Sequence, residues 1–162
     1  MAITGNYGIN STRTWTVDAA NGLPAKLLDI GSDKRGKWIF VKASAAIAQY
    51  AFVGVDGSGN AAELTTTTYA NVASFGVAQV AFASSDYGWV WIGEGGGTGS
   101  GVKGKVLASY VAFAVINTTA TAGAVDDAAT KILGGVVGLT TDGGSGSSIE
   151  LMAASVIHKV TA

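Results

Sequence analysis

The chain has 162 residues, a formal net charge of −1 at pH 7 and no Cys. Only 13% of its residues are charged, about half the usual share of ~25%, and this dispersed charge gives no basis for binding nucleic acid through its phosphates. The lack of Cys excludes disulfides and thiolate metal ligands, and no apolar run reaches the roughly 18 residues of a membrane span. So few charges, among many small residues, indicate a chain that buries surface in an assembly.

The N-terminal segment, residues 1–42, is predicted to form an extended arm followed by a first hairpin. In "LLDIGSDKRGKWIFVKA" (27–43), a Ser-Asp turn and a Gly separate an apolar run from a Trp-containing run, which is the pattern of a β-hairpin. Its tip carries the only dense basic cluster of the chain, formed by Lys34, Arg35 and Lys37. A solvated hairpin tip is the favoured interpretation, and the alternative is a contact with an acidic patch on a partner.

The rest of the chain matches itself at an offset of about 60 residues. "YAFVGVDGSGNAAEL" (50–64) aligns with "VAFAVINTTATAGAV" (111–125), and "WVWIGE" (89–94) aligns with "IELMAA" (149–154). Between these, "FGVAQVA" aligns with "GGVVGLT". Several matches in the same order at nearly one offset indicate an internal repeat.

Short runs rich in Val, Ile and aromatic residues alternate with Gly, Asn, Asp and Ser along both copies. Such runs predict strands joined by turns, in the style of small barrels and sandwiches. The predicted fold class is therefore mainly β, with two tandem small β-barrel-like or sandwich-like repeats of about 60 residues after the extended arm and hairpin. The predicted segments are the arm and first hairpin (1–42), the first repeat (43–94), a Gly-rich linker (95–101) and the second repeat (102–162).

The strand-like run "GWVWIG" predicts an apolar surface on both of its faces. Side chains alternate along a strand, so Trp89 and Trp91 face one side while Val90 faces the other. One face can pack on the core of a small domain, and the second must be covered by the neighbouring repeat or by another subunit. The candidate interface residues are the aromatic residues Trp38, Tyr87, Trp89 and Trp91, together with the basic residues Lys34, Arg35 and Lys37.

The Gly-rich stretch "GEGGGTGSGVKGKV" (93–106) contains the spacing G-x-G-x-x-G and nearly matches a phosphate-binding loop. However, Val106 takes the position of the magnesium-binding Ser or Thr, and the residues that follow are β-branched and aromatic, so no helix begins there. The sequence therefore predicts a connector between the repeats. With His158 as the lone histidine, no metal cluster can be built around it. No cofactor and no enzymatic activity are expected.

The two copies carry a resemblance to a known family. "FGVAQVAFASSDYGWVWIGEG" and "VINTTATAGAVDDAATKILGGVVGLTTDGGSGSSIELMAA" resemble tailed-phage head proteins of the capsid decoration (cement) type, over roughly residues 43–157. The resemblance implies a structural virion protein that sits on the outer surface of an icosahedral head as a trimer or dimer and bridges capsid subunits. Its partner would be the major capsid protein, and its location the virion surface, after synthesis in the host cytoplasm. The arm, within residues 1–25, could add a strand to a capsid sheet edge.

Two alternatives stay open from the residues. A phage fibre or carbohydrate-binding β module would use Trp89, Trp91 or Tyr87 as a stacking platform for sugars, and burial of the tryptophans would remove that site. An enzyme would need converging polar side chains, and the scattered carboxylates select no pair.

Overall fold

The computed structural model of the chain describes residues 9–16, 22–128, 131–141 and 147–160. This part of the chain is mainly β, as the sequence predicted. It contains a single short 3-10 helix, Thr68–Asn71. The strands, in chain order, are β1 (Thr14–Trp15), β2 (Ile30–Asp33), β3 (Gly36–Ala43), β4 (Phe52–Val55), β5 (Asn60–Glu63), β6 (Ser74–Ala78), β7 (Tyr87–Gly96), β8 (Lys103–Lys105), β9 (Val115–Thr118), β10 (Val125–Asp126), β11 (Ile132–Gly138) and β12 (Ser148–Lys159).

Five strands close into a small barrel in the first half of the chain. β3 pairs in parallel with β5 and antiparallel with β7, while β4 pairs with β5 and β6, and β6 pairs with β7. All five strands contribute side chains to one buried apolar cluster. It includes Ile39, Val41, Val53, Val55, Ala61, Ala78, Val90 and Ile92. The predicted first hairpin is confirmed, because β2 and β3 pair around the turn that follows Asp33.

The strands β8 to β12, which we call the second half, extend this sheet. β12 pairs with β11, with β8 and with the last residues of β7, and β11 pairs with β9, which pairs with β10. An isolated parallel bridge between Val106 and Val125 links the end of β8 to β10. Because β7 pairs with β3 and β6 along one part and with β12 along the other, it joins the barrel to the second half.

A second buried cluster lies between the barrel and the second half. Phe52, Phe75, Val77 and Trp91 enter it from the barrel, and it also contains residues of the second half. Those residues include Tyr110, Ile116, Leu133, Val136, Leu151 and Ile157. The two halves therefore bury one apolar core together, and their separation would expose large aromatic side chains to water.

A hydrogen bond recurs in the two halves at nearly the sequence offset. The N–H of Ala48 donates to Oε1 of Glu63 over 2.7 Å. Sixty-three residues later in the chain, the N–H of Val111 donates to Oδ2 of Asp127 over 3.0 Å. Each carboxylate thus ties down a turn that precedes the first strand of its hairpin, β4–β5 or β9–β10. The two-repeat interpretation stays a prediction, and this recurrence agrees with it.

The described part of the N-terminal arm lies on the barrel. Trp15 in β1 pairs with Tyr87 of β7, and its indole lies 5.9 Å from the ring of Phe40. Farther along, Leu23 and Leu27 pack against the shared core. The addition of a strand by the arm to a capsid sheet stays a prediction.

The Gly-rich stretch begins as a closely packed strand. β7 continues through Gly96, so the first two residues of the predicted linker are strand residues. A Cβ atom on Gly93, Gly95 or Gly96 would overlap a backbone carbonyl oxygen of a neighbouring segment. Only from Gly97 onward is there open space around the glycines of the turn. Glycine is therefore required at Gly96 by close approach of backbones, and not by flexibility.

Candidate functional site

The three tryptophans of the expected interface are buried in the core of the monomer. Trp38 and Trp91 are 0% exposed and Trp89 is 1% exposed. As predicted from strand alternation, Trp89 and Trp91 belong to one buried cluster and Val90 to the other. Because their indole faces are covered within the monomer, none of the three offers a platform on which a sugar could stack or against which a partner could pack. The covering groups come from this same chain.

Two of these indoles are also fixed by hydrogen bonds. Nε1 of Trp91 donates to the carbonyl oxygen of Arg35 over 2.9 Å, and Nε1 of Trp38 donates to Oδ1 of Asp33 over 2.9 Å. Tyr87 differs from the tryptophans, because it is half-buried and lies at 6.4 Å from the ring of Phe40. It is the only aromatic residue of the expected interface that reaches the surface.

The basic hairpin tip is largely neutralised by its own neighbours. Arg35 forms an ion pair with Asp33 and places its guanidinium 4.7 Å above the ring centroid of Trp38. Nζ of Lys37 lies 2.7 Å from Oε2 of Glu94, and Lys34 is exposed. Because two carboxylates offset the charge of the tip, its geometry favours a solvated hairpin turn over a binding site for an acidic partner.

The pKa of the Asp33 carboxylate determines how this group's contribution to the free energy of unfolding changes with pH. Burial by itself raises the pKa of Asp33, but hydrogen bonds from Arg35 and Trp38, with the positive charge of Arg35, outweigh burial and lower it below its ordinary value. A carboxylate with a lowered folded-state pKa stabilises the fold above its unfolded pKa of about 3.9, and this contribution is lost as the pH falls through the folded pKa.

We therefore expect Asp33→Asn to lower the free energy of unfolding at neutral pH by less than about 1 kcal/mol, because solvent screens this partly exposed pair. The difference from the unsubstituted chain should shrink as the pH falls below about 3.9. Urea unfolding at a series of pH values measures both effects. A difference that stays constant through the acid range would contradict the role of this carboxylate.

An uncharged apolar surface lies on the outside of β9, β11 and β12. We call it the outer apolar face and define it by its side chains, which are Val115, Ile132, Val137, Met152, Ala154 and Val160. Val115 is 53% exposed, Met152 43% and Val160 41%. These residues line a shallow groove of about 490 Å³, whose lining contains no charged side chain in the described part of the chain. Phe113, 64% exposed, precedes β9 in the chain.

This face arises from strand alternation in the second half. Along β12, Leu151 and Ala153 are buried while Met152 and Ala154 are exposed. Gly134 and Gly135 on β11 also line the groove, and the side chains of His158 and Ser155 occupy the space beside them. The interface predicted from the sequence does not include this surface. The predicted interface residues are aromatic or basic, whereas the outer apolar face is aliphatic.

The remaining candidates for chemistry are the carboxylates and the single histidine. In the residues that the structure describes, no three His, Cys, Asp or Glu side chains are placed to hold a metal ion. The lone His158 is exposed on β12, with Nδ1 2.9 Å from the carbonyl oxygen of Val156. Within the same described ranges, no helix has the length and apolar character to cross a bilayer.

No protein-family model matches the chain, and no curated protein matches it.

Proposed function

We propose that this chain is a structural, non-enzymatic virion protein of the capsid decoration (cement) type. It binds the outer surface of an icosahedral tailed-phage head and stabilises the head by bridging capsid subunits. The observation that supports the proposal is the outer apolar face, because an exposed apolar surface of this kind marks a contact with another subunit of an assembly, either a capsid subunit or a second copy of this chain. The class of partner comes from the sequence resemblance over residues 43–157.

The tandem-repeat organisation belongs to the same proposal. The strand pairs β4–β5, β4–β6 and β6–β7 have counterparts in β9–β10, β9–β11 and β11–β12, all antiparallel. The parallel pairing of β3 with β5 has a counterpart in the parallel bridge between Val106 and Val125. This recurrence supports two copies of one β unit, the second of which closes less completely than the first.

The proposed mechanism needs binding without chemistry. A protein that binds the assembled lattice, and not the free capsid subunit, shifts the equilibrium toward the assembled state by mass action. The chain would act in this way as a homo-oligomer, a trimer or dimer, on the capsid surface. Only 13% of its residues are charged, which suits a protein that functions with much of its surface covered by other subunits.

A sedimentation experiment tests the proposal. The purified chain is mixed with expanded shells assembled from the major capsid protein of its phage and, separately, with unassembled capsid protein. We expect the chain to pellet with the shells and to stay free of the unassembled subunits, because the bridged site exists only in the lattice. Val115→Lys and Lys34→Ala chains, run in parallel, distinguish contact through the outer apolar face from contact through the hairpin tip. A chain that stays in the supernatant with shells at every concentration would rule the proposal out.

A further inference from the structure

We propose that the outer apolar face is the docking surface for a second copy of this chain. The inference deepens the proposed function and rests on it only for the role of the resulting oligomer, since self-association can be measured without a capsid.

The barrel contains a row of three neighbouring side chains on the face that points away from its interior. Phe52 on β4 lies opposite Val77 on β6, which lies opposite Trp91 on β7. All three are 0% exposed and belong to the core shared with the second half. In the barrel, this row is therefore a packing surface that is completely covered.

The second half contains a row with the same construction. Val115 on β9 lies opposite Val137 on β11, which lies opposite Met152 on β12. The strands follow one another in the same antiparallel order as in the barrel. Here the row is uncovered, since Val115 is 53% exposed, Met152 is 43% exposed and Val137 is half-buried.

What covers the first row is a unit of this same chain. The ring of Phe52 lies against Gly104 of β8, where a Cβ atom would come within 2.7 Å of both Phe52 Cε2 and Leu151 Cδ1. The amide of Gln79 fixes this contact, because it donates to the carbonyl oxygen of Lys103 over 2.9 Å and accepts from the Lys103 N–H over 3.0 Å. The first row is thus covered by the second half of this chain, through residues of β8 and β12.

Charge favours the same occupant. Among the described residues, no charged side chain lines the groove, so a partner that presents an acidic or basic patch would be desolvated there without compensation. A second copy presents an equally uncharged apolar face. With a net charge of −1 per chain, two copies repel each other only weakly.

Sedimentation equilibrium of the full chain in the absence of shells tests the proposal. We expect the chain to associate reversibly across a dilution series. The double substitution Val115→Lys/Met152→Lys places charges within the covered surface, and we expect it to raise the dissociation constant by at least about tenfold. The matched control is Ile30→Lys. Ile30 is 58% exposed on β2, at the opposite end of the strand order, and its substitution should leave association unchanged.

Three results would overturn the proposal: a chain that is monomeric at every concentration, a double variant that associates as the original does, or a control that dissociates equally. Circular dichroism verifies that each variant is folded, and the milder Val115→Thr/Met152→Gln replaces the double variant if it is not, since Thr retains a high strand propensity. A monomeric chain that pellets with shells, and loses pelleting on Val115→Lys, would assign the face to the capsid instead. A chain that associates but never pellets would overturn the proposed function and leave this inference standing.

Discussion

Replacing Gly96 with Ala is expected to lower the free energy of unfolding by about 3 kcal/mol or more, whereas the same change at Gly99 should cost only about 1–2 kcal/mol. Both residues have a positive φ, +81° and +75°, so both substitutions carry the cost of a left-handed L-residue. At Gly96, the new Cβ would also overlap the carbonyl oxygen of Leu151 on β12, while around Gly99 there is nothing within 4 Å. The additional overpacking should cost about 1–3 kcal/mol.

Urea denaturation of the two variants, followed by far-ultraviolet circular dichroism, measures this difference. A protein of this size is stabilised by about 5–15 kcal/mol in total, so Gly96→Ala should shift the midpoint far more than Gly99→Ala does. Equal effects of the two substitutions would show that the segment from Gly93 to Gly101 behaves as one uniform connector, and would contradict the close packing of β7 on β12.

Replacing Trp91 with Ala is expected to lower the free energy of unfolding by about 3–5 kcal/mol. The indole is fully buried in the core shared by the two halves, so its removal leaves a large cavity and also removes the hydrogen bond to the carbonyl oxygen of Arg35. Trp15→Ala is the matched control, since Trp15 is half-buried on the outside of the barrel. It should cost clearly less.

Guanidinium denaturation, followed by circular dichroism because the fluorescence itself changes, compares the two variants. We expect the loss of Trp91 to move the unfolding midpoint much further than the loss of Trp15. If Trp15→Ala were the more destabilising change, the barrel would depend on its arm more than on the core between the halves, against the present account.

The sequence predicted local features that depend on strand alternation and turn chemistry. Trp89 and Trp91 were placed on one face of their strand and Val90 on the other, and the structure confirms this because the period of two holds for any strand. The turn between β4 and β5 also depends on neighbouring residues, since Oδ1 of Asp56 accepts from the N–H groups of Ser58 and Asn60. Such turns depend on neighbouring residues alone.

Features that depend on tertiary contacts were not predictable in the same way. The composition of the Gly-rich stretch indicated a flexible connector, but Gly93, Gly95 and Gly96 lie in a strand, where neighbouring backbones approach too closely for a side chain. Glycine serves both purposes, and only the position of β12 and of the Arg35 turn distinguishes them.

The internal sequence alignment also differs from the strand pairing by one residue at Trp91. The sequence alignment at an offset of 60 pairs Trp91 with Leu151, which is buried. The cross-strand neighbours instead give Met152 the place of Trp91, since Val77 lies opposite Trp91 and Val137 lies opposite Met152. A shift of one residue moves a side chain to the other face of a strand. The sequence alignment therefore makes the buried Leu151 the equivalent of Trp91, whereas strand pairing makes the exposed Met152 its equivalent.

The central claim, that this chain strengthens a capsid by binding it, is tested most directly by the thermal transition of expanded shells at increasing concentrations of the chain. We expect the transition temperature to rise with the concentration of the chain, because a ligand that binds only the assembled state stabilises it in proportion to RT ln(1 + [L]/Kd). A transition temperature that stays the same at every concentration of the chain would contradict it.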